Sequence, residues 1–326
     1  MSLQDIRLQD RAIEFLRRSI ENQRLSHSLL FFGPEGVGKK LSCLTLAKAL
    51  NCDIEGPFDS CDKCPSCRKI EALNHPDINW VRPEGAGNII RIEKIRLMKK
   101  RINLKPFEGK IKFSIVESAH LLTEEAANSI LKILEEPPKN SIIILVTDDI
   151  NRIFPTVKSR CQWVLFSSAK PAELKKLLSE EYNMTEKEAH FLSYLSEGRI
   201  GKAIAMKDEE TLNWKNEVFD RFTKNNIIFK EDPFFFGNKR EKILKMVDIL
   251  VSCYRDIFIL KNGGDTSLLA NIDRIEDLKS KAEALSTEKI KEILYETLRI
   301  RSYIERNVNP KLALSNLVCI TEQQDV

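Results

Sequence analysis

The chain has 326 residues, enough for two or three domains, and its hydrophobic (42%) and aromatic (7%) contents are sufficient for a buried core. Its 52 basic and 48 acidic residues leave a net charge of only +4, which excludes a strongly basic or strongly acidic specialist. The longest apolar runs, such as Ser141–Val146, fall far short of the roughly 20 residues that span a bilayer.

The N-terminus and the cysteine content together indicate the cellular compartment. The first ten residues include Asp5 and Asp10 and no apolar segment, so we expect no secretory signal. Eight cysteines in a chain without such a signal favour reduced thiols or metal ligands over a disulfide scaffold. We therefore expect a cytoplasmic protein that is not attached to a membrane.

In the first half of the chain, short apolar runs alternate with helical patterns, which is typical of an α/β fold with a parallel sheet. The predicted strands are Ser28–Phe32, Asn79–Val81, Lys112–Val116, Ser141–Thr147 and Gln162–Phe166. A helix is predicted from about Thr123 to Glu136, where Pro137 and Pro138 stop it. Beyond Ser168 the pattern is helical. The expected domains are an α/β domain over residues 1–167, a small helical lid over 168–207 and a helical domain over 208–326.

A glycine-rich loop follows the first predicted strand. Its sequence is GPEGVGKK, with Gly33, Gly36 and Gly38 ahead of Lys39 and Lys40. Glycines let backbone N–H groups curl around phosphate oxygens, and Lys39 would reach the terminal phosphates. The pattern requires Ser or Thr where Lys40 stands, because a hydroxyl there binds Mg²⁺. The loop therefore predicts a nucleotide-binding fold that lacks a Mg²⁺ ligand, and it leaves open whether ATP binds.

The residues that follow the predicted strand Lys112–Val116 also indicate that Mg²⁺ ligands are missing. ATPases with this loop place Asp and then Glu there, to bind Mg²⁺ and to polarise the attacking water, whereas this chain has Glu117 and Ser118. A serine cannot act as a base at neutral pH. A polar end on an ordinary core strand is the alternative interpretation. Two such departures in one constellation favour an inactive nucleotide site.

Four cysteines with the spacing C-x8-C-x2-C-x2-C form a second motif: Cys52, Cys61, Cys64 and Cys67. Four thiolates close a tetrahedral zinc site with no open position, so the pattern predicts a structural zinc rather than a catalytic one. An iron–sulfur cluster and incidental reduced thiols are the alternatives. The other cysteines stand apart and are expected to be small core residues: Cys43, Cys161, Cys253 and Cys319.

Four further segments complete an order of motifs. After the cysteines come AANSILKILEEPP (residues 126–138) and TVKSRC (156–161), and the helical half contains CYRDIFILKNG (253–263) and NVNPKLALSNL (307–317). This order resembles bacterial clamp-loader subunits, the AAA+ proteins of the DNA polymerase III holoenzyme. The last two segments are similar to the collar domain of those proteins, so the resemblance covers nearly the whole chain.

The resemblance implies an AAA+ domain with a zinc module at residues 52–67, a helical lid and a helical collar used for oligomerisation. Within the family, the departures at Lys40, Glu117 and Ser118 resemble the non-hydrolysing delta-prime branch rather than the tau/gamma ATPases. That branch implies a rigid stator in a hetero-pentamer with tau/gamma and delta subunits, which opens a sliding clamp and loads it on primed DNA. Little or no ATP turnover by the chain itself is expected.

The resemblance also implies roles for three single residues. In clamp loaders the arginine of the SRC tripeptide, here Arg160, reaches into the neighbouring subunit's ATP site and stabilises charge on the γ-phosphate. A planar guanidinium suits that role because it stays charged and can contact two oxygens. Thr147 stands at the family's nucleotide-sensing position, and Lys202 falls near the sensor position of the lid. Without the motif order, each would be an ordinary surface or strand-end residue.

Two other functions stay open. The first is an active AAA+ ATPase of tau/gamma type, against which Lys40 and Ser118 argue. The second is a stand-alone zinc-containing DNA-binding protein, against which the nearly balanced charge argues. Basic runs such as residues 99–101 fit either DNA phosphates or a solvated face. The four histidines are scattered without metal-ligand spacing, and no chemistry is assigned to them.

Overall fold

Five parallel strands form one sheet in the order β2-β3-β4-β1-β5. The computed structural model describes residues 3–54, 59–85, 87–207, 209–223, 240–310 and 312–314. The strands are β1 Ser28–Phe32, β2 Ile78–Val81, β3 Lys112–Val116, β4 Ser141–Thr147 and β5 Gln162–Leu165. Each agrees with a predicted apolar run to within one residue, and the predicted α/β class with a parallel sheet is confirmed.

The chain divides into two compact units, Met1–Ala169 with Arg199–Gly201, and Lys170–Gly198 with Lys202–Val326. The helices up to Ala169 are α1 Asp10–Glu21, α2 Lys39–Asn51, α3 Pro65–Glu71, α4 Ile92–Ile102, α5 Glu124–Glu135 and α6 Pro155–Lys158. The later helices are α7 Pro171–Tyr182, α8 Glu186–Leu195, α9 Ile200–Ala205, α10 Glu209–Thr223, α11 Arg240–Lys261, α12 Ile275–Ala284 and α13 Thr287–Glu305, of which α9 begins in the first unit and continues in the second. Single 3-10 turns occur at Leu3–Asp5, Ala119–Leu121, Ile150–Arg152, Thr266–Leu268 and Ile272–Arg274.

Both faces of the sheet are covered. Because side chains alternate along a strand, Leu29 and Phe31 of β1 pack with α1 and α2, while Leu30 packs on the opposite face with α4 and α5. All three side chains are fully buried, each contributing about 1.5–3 kcal/mol of hydrophobic stabilisation. β1 lies between β4 and β5, so the loop that follows it opens at the carboxyl edge of a fully packed sheet.

The register of the strands brings the predicted nucleotide-site residues to one edge. Phe32, the last residue of β1, pairs with Thr147, the last residue of β4. Val116 at the end of β3 pairs with Leu145, so Glu117 follows at the same edge. In open α/β sheets this carboxyl edge is where ligands bind.

The second unit is helical in its described residues. α11 packs on α12 and α13 through buried residues such as Leu250, Ile257 and Ile293. None of the helices in the described segments combines the length and the apolar character needed to cross a bilayer. Lys311 and residues 315–317 of the collar-like segment, together with Cys319, lie outside the described residues. The three-domain division with a separate lid stays a prediction.

Candidate functional site

The loop between β1 and α2, where the sequence predicts a phosphate-binding loop, has a backbone that requires its glycines. Gly33, Gly36 and Gly38 have φ angles of 138°, 80° and 102°, a region that side chains disfavour. A Cβ on Gly33 would lie 1.8 Å from the carbonyl oxygen of Phe166, so glycine is required there. From the other side, the N–H of Gly201 donates to the carbonyl oxygen of Gly36 at 2.7 Å. The loop is therefore held by backbone contacts on two sides.

Lys39, the first residue of α2, turns its amine into its own loop. Its Nζ donates to the carbonyl oxygens of Gly33 and Pro34, and the residue is only 7% exposed. Burial lowers the pKa of Lys39 to about 8, even though the charges of Asp148 and Glu35 oppose that shift. To reach a phosphate, this amine would exchange its two carbonyl contacts for phosphate oxygens.

Lys40 forms an ion pair with Glu117 across the loop. Its Nζ lies 2.7 Å from Glu117 Oε2, and Arg82 Nε lies 2.9 Å from Glu117 Oε1. The Glu117 side chain is 8% exposed, whereas those of Lys40 and Arg82 are 63% and 53% exposed. Each carboxylate oxygen is therefore held by a cation of the protein, at the position where Mg²⁺ would need an anionic ligand.

Ser118 and Thr147 lie next to this pair, at the ends of β3 and β4. Ser118 has a φ angle of 50° and precedes the 3-10 turn Ala119–Leu121. The Oγ1 of Thr147 donates to the carbonyl oxygen of Asp149 and accepts from the N–H of the same residue. His120 Nδ1 lies 3.1 Å from Thr147 Oγ1 and 3.1 Å from Asp148 Oδ1, and burial lowers the pKa of His120. Thr147 is thus engaged by its own loop and by a histidine that the sequence did not single out.

The four cysteines of the motif come together. The sulfur atoms of Cys52, Cys61, Cys64 and Cys67 all lie within 4.8 Å of one another. A tetrahedral zinc–thiolate site, with Zn–S of about 2.3 Å, needs sulfurs about 3.8 Å apart, so this donor set fits zinc. Backbone N–H groups of Lys63 and Cys64 lower the pKa of Cys61 to about 6, which favours its thiolate, whereas burial raises the pKa of Cys67.

Local structure explains how the cysteines converge. Cys52 directly follows α2, and Cys64 is the N-cap of α3, its sulfur accepting from the N–H of Cys67 at 3.4 Å. The amine of Lys48 on α2, whose side chain is 2% exposed, pairs with Asp62 and with Glu71. This buried cation joins α2, the cysteine loop and α3.

A buried polar network fixes the cysteine cluster to the sheet. Asp77, whose side chain is fully buried, accepts from the N–H groups of residues 107, 108 and 109. Asn51 Oδ1 accepts from the N–H groups of Lys110 and Ile111, and Lys110 Nζ donates to the carbonyl oxygen of Cys52. Burial alone would raise the pKa of Asp77, but these N–H groups hold it below its usual value.

The remaining described cysteines stay apart from this cluster. Cys43 and Cys253 are fully buried, as predicted, and burial raises the pKa of both thiols. Cys161 is partly buried against the sheet core, and burial raises its pKa to about 12.

Arg160 lies between α6 and β5, and its guanidinium is held by its own chain. Its Nε and Nη2 contact Glu135 Oε1, and its Nη1 donates to the carbonyl oxygen of Thr156 at 2.9 Å. The arginine side chain is 32% exposed. Glu135 lies in the AANSILKILEEPP segment, residues 126–138, but nothing in the sequence linked it to Arg160.

Lys202 forms an ion pair with another residue of the second unit. Its Nζ donates to Asp248 Oδ2 on α11 at 2.8 Å, and Arg301 Nε lies 2.6 Å from the other oxygen of that carboxylate. The residue that contacts the phosphate loop is its neighbour Gly201, whose Cβ, if present, would lie 2.8 Å from the Gly36 oxygen. In the sequence this glycine is only one of two, with Gly198, that punctuate the helical pattern, and nothing there links it to the loop.

Comparison with known proteins gives two family matches. Residues 8–170 match the family described as DNA polymerase III, delta subunit, and residues 215–323 match the family described as DNA polymerase III, delta subunit, C terminal.

Several curated relatives are similar to this chain, and three of them show how much of each protein is shared. DNA polymerase III subunit delta' of Bacillus subtilis is 30% identical over 97% of both chains. DNA polymerase III subunit gamma of Buchnera aphidicola is 27% identical over 71% of this chain and 64% of the relative. DNA polymerase III subunit tau of B. subtilis is 28% identical over 63% of this chain and 37% of the relative. This chain therefore spans nearly all of the first relative and much less of the other two.

Proposed function

We propose that this chain, which belongs to the DNA polymerase III delta-subunit family and is a delta-prime-like clamp-loader subunit, hydrolyses no ATP itself and completes the ATP site of a neighbouring subunit. In this role Arg160 is the trans-acting residue. The partners are tau/gamma and delta subunits, and the assembly loads a sliding clamp on primed DNA.

The Lys40–Glu117 ion pair is the observation that carries the proposal. Hydrolysis by a phosphate-loop ATPase needs Mg²⁺ held by a hydroxyl at position 40 and by the acidic residue after β3. Here the hydroxyl is replaced by an ammonium, and Glu117 already contacts two cations. Ser118 supplies no carboxylate to orient water. The intact loop backbone and Lys39 are compatible with phosphate binding, so the loss concerns catalysis.

The chemistry of Arg160 supports its role in trans. In phosphoryl transfer, charge spreads over the γ-phosphate oxygens, and an arginine from a neighbouring chain stabilises it. Among the described residues, the hydrogen-bond partners of its guanidinium are Glu135, Thr156 and Ser159, and none of them belongs to the glycine-rich loop of this chain. A partly exposed guanidinium at the edge of the domain can meet a phosphate on another chain.

Zinc would be held by Cys52, Cys61, Cys64 and Cys67. Bound there, it supplies cross-linking rather than catalysis, because four thiolates leave no coordination position for substrate. The zinc site would then act with the contacts of Asn51 and Asp77 to hold residues 107–111, the loop ahead of β3. Strand β3 ends just before Glu117. The role proposed for the metal is to stabilise this part of the domain.

An ATPase assay on the isolated full-length chain tests the first half of the proposal. We expect turnover at the background rate with ATP and Mg²⁺, and Lys39→Ala should change nothing. Turnover that Lys39→Ala abolishes would instead support the active tau/gamma type of subunit.

Reconstitution with the partner subunits tests the second half. Arg160→Ala should leave the complex eluting unchanged but lower its ATPase stimulated by DNA and clamp. An arginine finger contributes about 10³–10⁵ in rate in GTPases, and a loader with several ATP sites would lose less overall. Unchanged ATPase and clamp loading would leave Arg160 a surface residue.

A further inference from the structure

Glu135 and Arg160 form a contact that neither the family match nor the motif order assigns. The guanidinium presents its Nε and Nη2 to Oε1 of Glu135, while Thr156 accepts from Nη1 at 2.9 Å and Ser159 Oγ lies 3.3 Å from Nη1. The side chains of Glu135 and Arg160 are 48% and 32% exposed. Helix α5, helix α6 and the residue that follows α6 therefore all hold one guanidinium.

The end of α5 is a rigid support for Glu135. Pro137 disfavours helical backbone at the residue before it, so the helix ends at Glu135. The preceding Leu134 is 4% exposed, and its carbonyl oxygen accepts from the buried Ser28 hydroxyl of β1 at 3.0 Å. The backbone that carries Glu135 is thus tied to β1, an interior strand of the sheet.

A carboxylate is an unfavourable choice at this place unless it has a cationic partner. The last turn of a helix carries partial negative charge, so an acidic side chain there is disfavoured. Glu136, the next residue, is exposed, and its carboxylate has no hydrogen bond or ion pair within the described part of the chain. The two adjacent glutamates differ in that only Glu135 meets Arg160, which makes Glu136 a matched control.

We infer that Glu135 is the positioning residue for Arg160, holding the guanidinium so that its remaining N–H groups face a phosphate bound by the neighbouring chain. This inference rests on the proposed trans role of Arg160. A guanidinium has five N–H donors: Glu135 accepts those on the Nε edge, while the neutral oxygens of Thr156 and Ser159 accept from Nη1. A phosphate would therefore replace those two neutral acceptors at Nη1 or take the last N–H of Nη2. A free arginine side chain samples many rotamers, and restricting them before the partner arrives reduces the entropy lost when the phosphate is bound.

The test uses the complete complex reconstituted with partner subunits, sliding clamp and primed DNA. Glu135→Ala should lower the stimulated ATPase kcat about 3- to 30-fold, since it frees a long side chain. The KM for ATP should stay unchanged, because the nucleotide is bound by another chain. Glu135→Gln keeps an oxygen acceptor and should recover part of the lost kcat. If the alanine variant fails to assemble, the glutamine variant is assayed in its place. Glu136→Ala should stay within about twofold of wild type.

A double-mutant cycle separates positioning from general structural damage. In the Arg160→Ala background, Glu135→Ala should cost nothing further, because residues that act as a unit are not additive. If the two losses multiply, or if Glu135→Ala alone runs at the wild-type rate while Arg160→Ala does not, the inference is wrong. If Arg160→Ala itself runs at the wild-type rate, the proposed function fails, and the positioning role fails with it.

Discussion

Replacing Cys64 by serine is the sharpest perturbation of the cysteine cluster. Cys64 caps α3 by accepting from the N–H of Cys67, and serine is a good N-cap residue. The substitution therefore preserves the cap and removes only the thiolate. We expect zinc content to fall from about one per chain to well below one.

The size of the effect follows from ligand linkage. A ligand that binds only the folded state at 100 times its Kd stabilises that state by about 2.7 kcal/mol. For a unit of this size each kcal/mol shifts Tm by about 2–4 °C, so losing the metal should lower Tm by about 5–11 °C. Because the thiolates must be deprotonated, metal release should also become easier as the pH falls.

Elemental analysis and thermal unfolding of the purified chain measure both quantities. Cys161→Ser is the matched control, since that cysteine lies outside the cluster and should leave the zinc content unchanged. A Cys64→Ser chain with one zinc and an unaltered Tm would refute the four-thiolate site. Iron in place of zinc would favour the iron–sulfur alternative.

Three other predictions concern the nucleotide loop and its surroundings. Lys40→Thr removes the ion pair with Glu117 and supplies a hydroxyl that can bind Mg²⁺. Calorimetry on this variant should detect ATP binding that is stronger with Mg²⁺ than without it, and equal binding under the two conditions would contradict this. Gly201→Ala places a Cβ 2.8 Å from the Gly36 oxygen and should cost about 1–3 kcal/mol in urea unfolding, whereas Gly87→Ala, whose Cβ would meet only a side chain at 3.9 Å, should not. Asp77→Asn should cost about 3 kcal/mol at pH 7 by weakening charge-assisted hydrogen bonds. Because the pKa of folded Asp77 is lowered, its stabilisation is present above about pH 4 and is lost in acid, so an Asp77→Asn deficit that did not shrink there would be inconsistent with this account.

The sheet could be predicted closely from the sequence because its strands are apolar on both faces. Continuous runs such as Ser141–Thr147 are the pattern of a strand covered by helices on both sides, and this one is buried throughout. β5 ends one residue before the predicted Phe166, whose N–H still donates to the carbonyl oxygen of Phe32. Strand order was not predictable: the apolar side chains of Trp163 and Leu165 are 52% and 57% exposed, because β5 is an edge strand.

The site was predictable as a set of residues but not as a set of contacts. The cysteine spacing was sufficient to predict the cluster, since short separations restrict where four sulfurs can lie. The pairs Lys40–Glu117 and Glu135–Arg160 join distant segments, and only the fold brings them together. Lys202 pairs with Asp248 through its side chain, whereas the preceding Gly201 meets the loop through its backbone N–H, a contact that no side-chain pattern reveals.

The position of β1 in the sheet has a consequence for how the chain folds during synthesis. Leu29 pairs with Ile144 on one side and with Gln162 on the other, so this strand emerges from the ribosome long before either neighbour. Contacts of such high sequence separation form slowly, and an unpaired apolar strand is exposed to aggregation in the meantime. The cysteine loop closes within residues 52–67 and needs no distant partner. This loop can therefore close before the sheet does, whereas β1 stays unpaired until β4 and β5 have been translated.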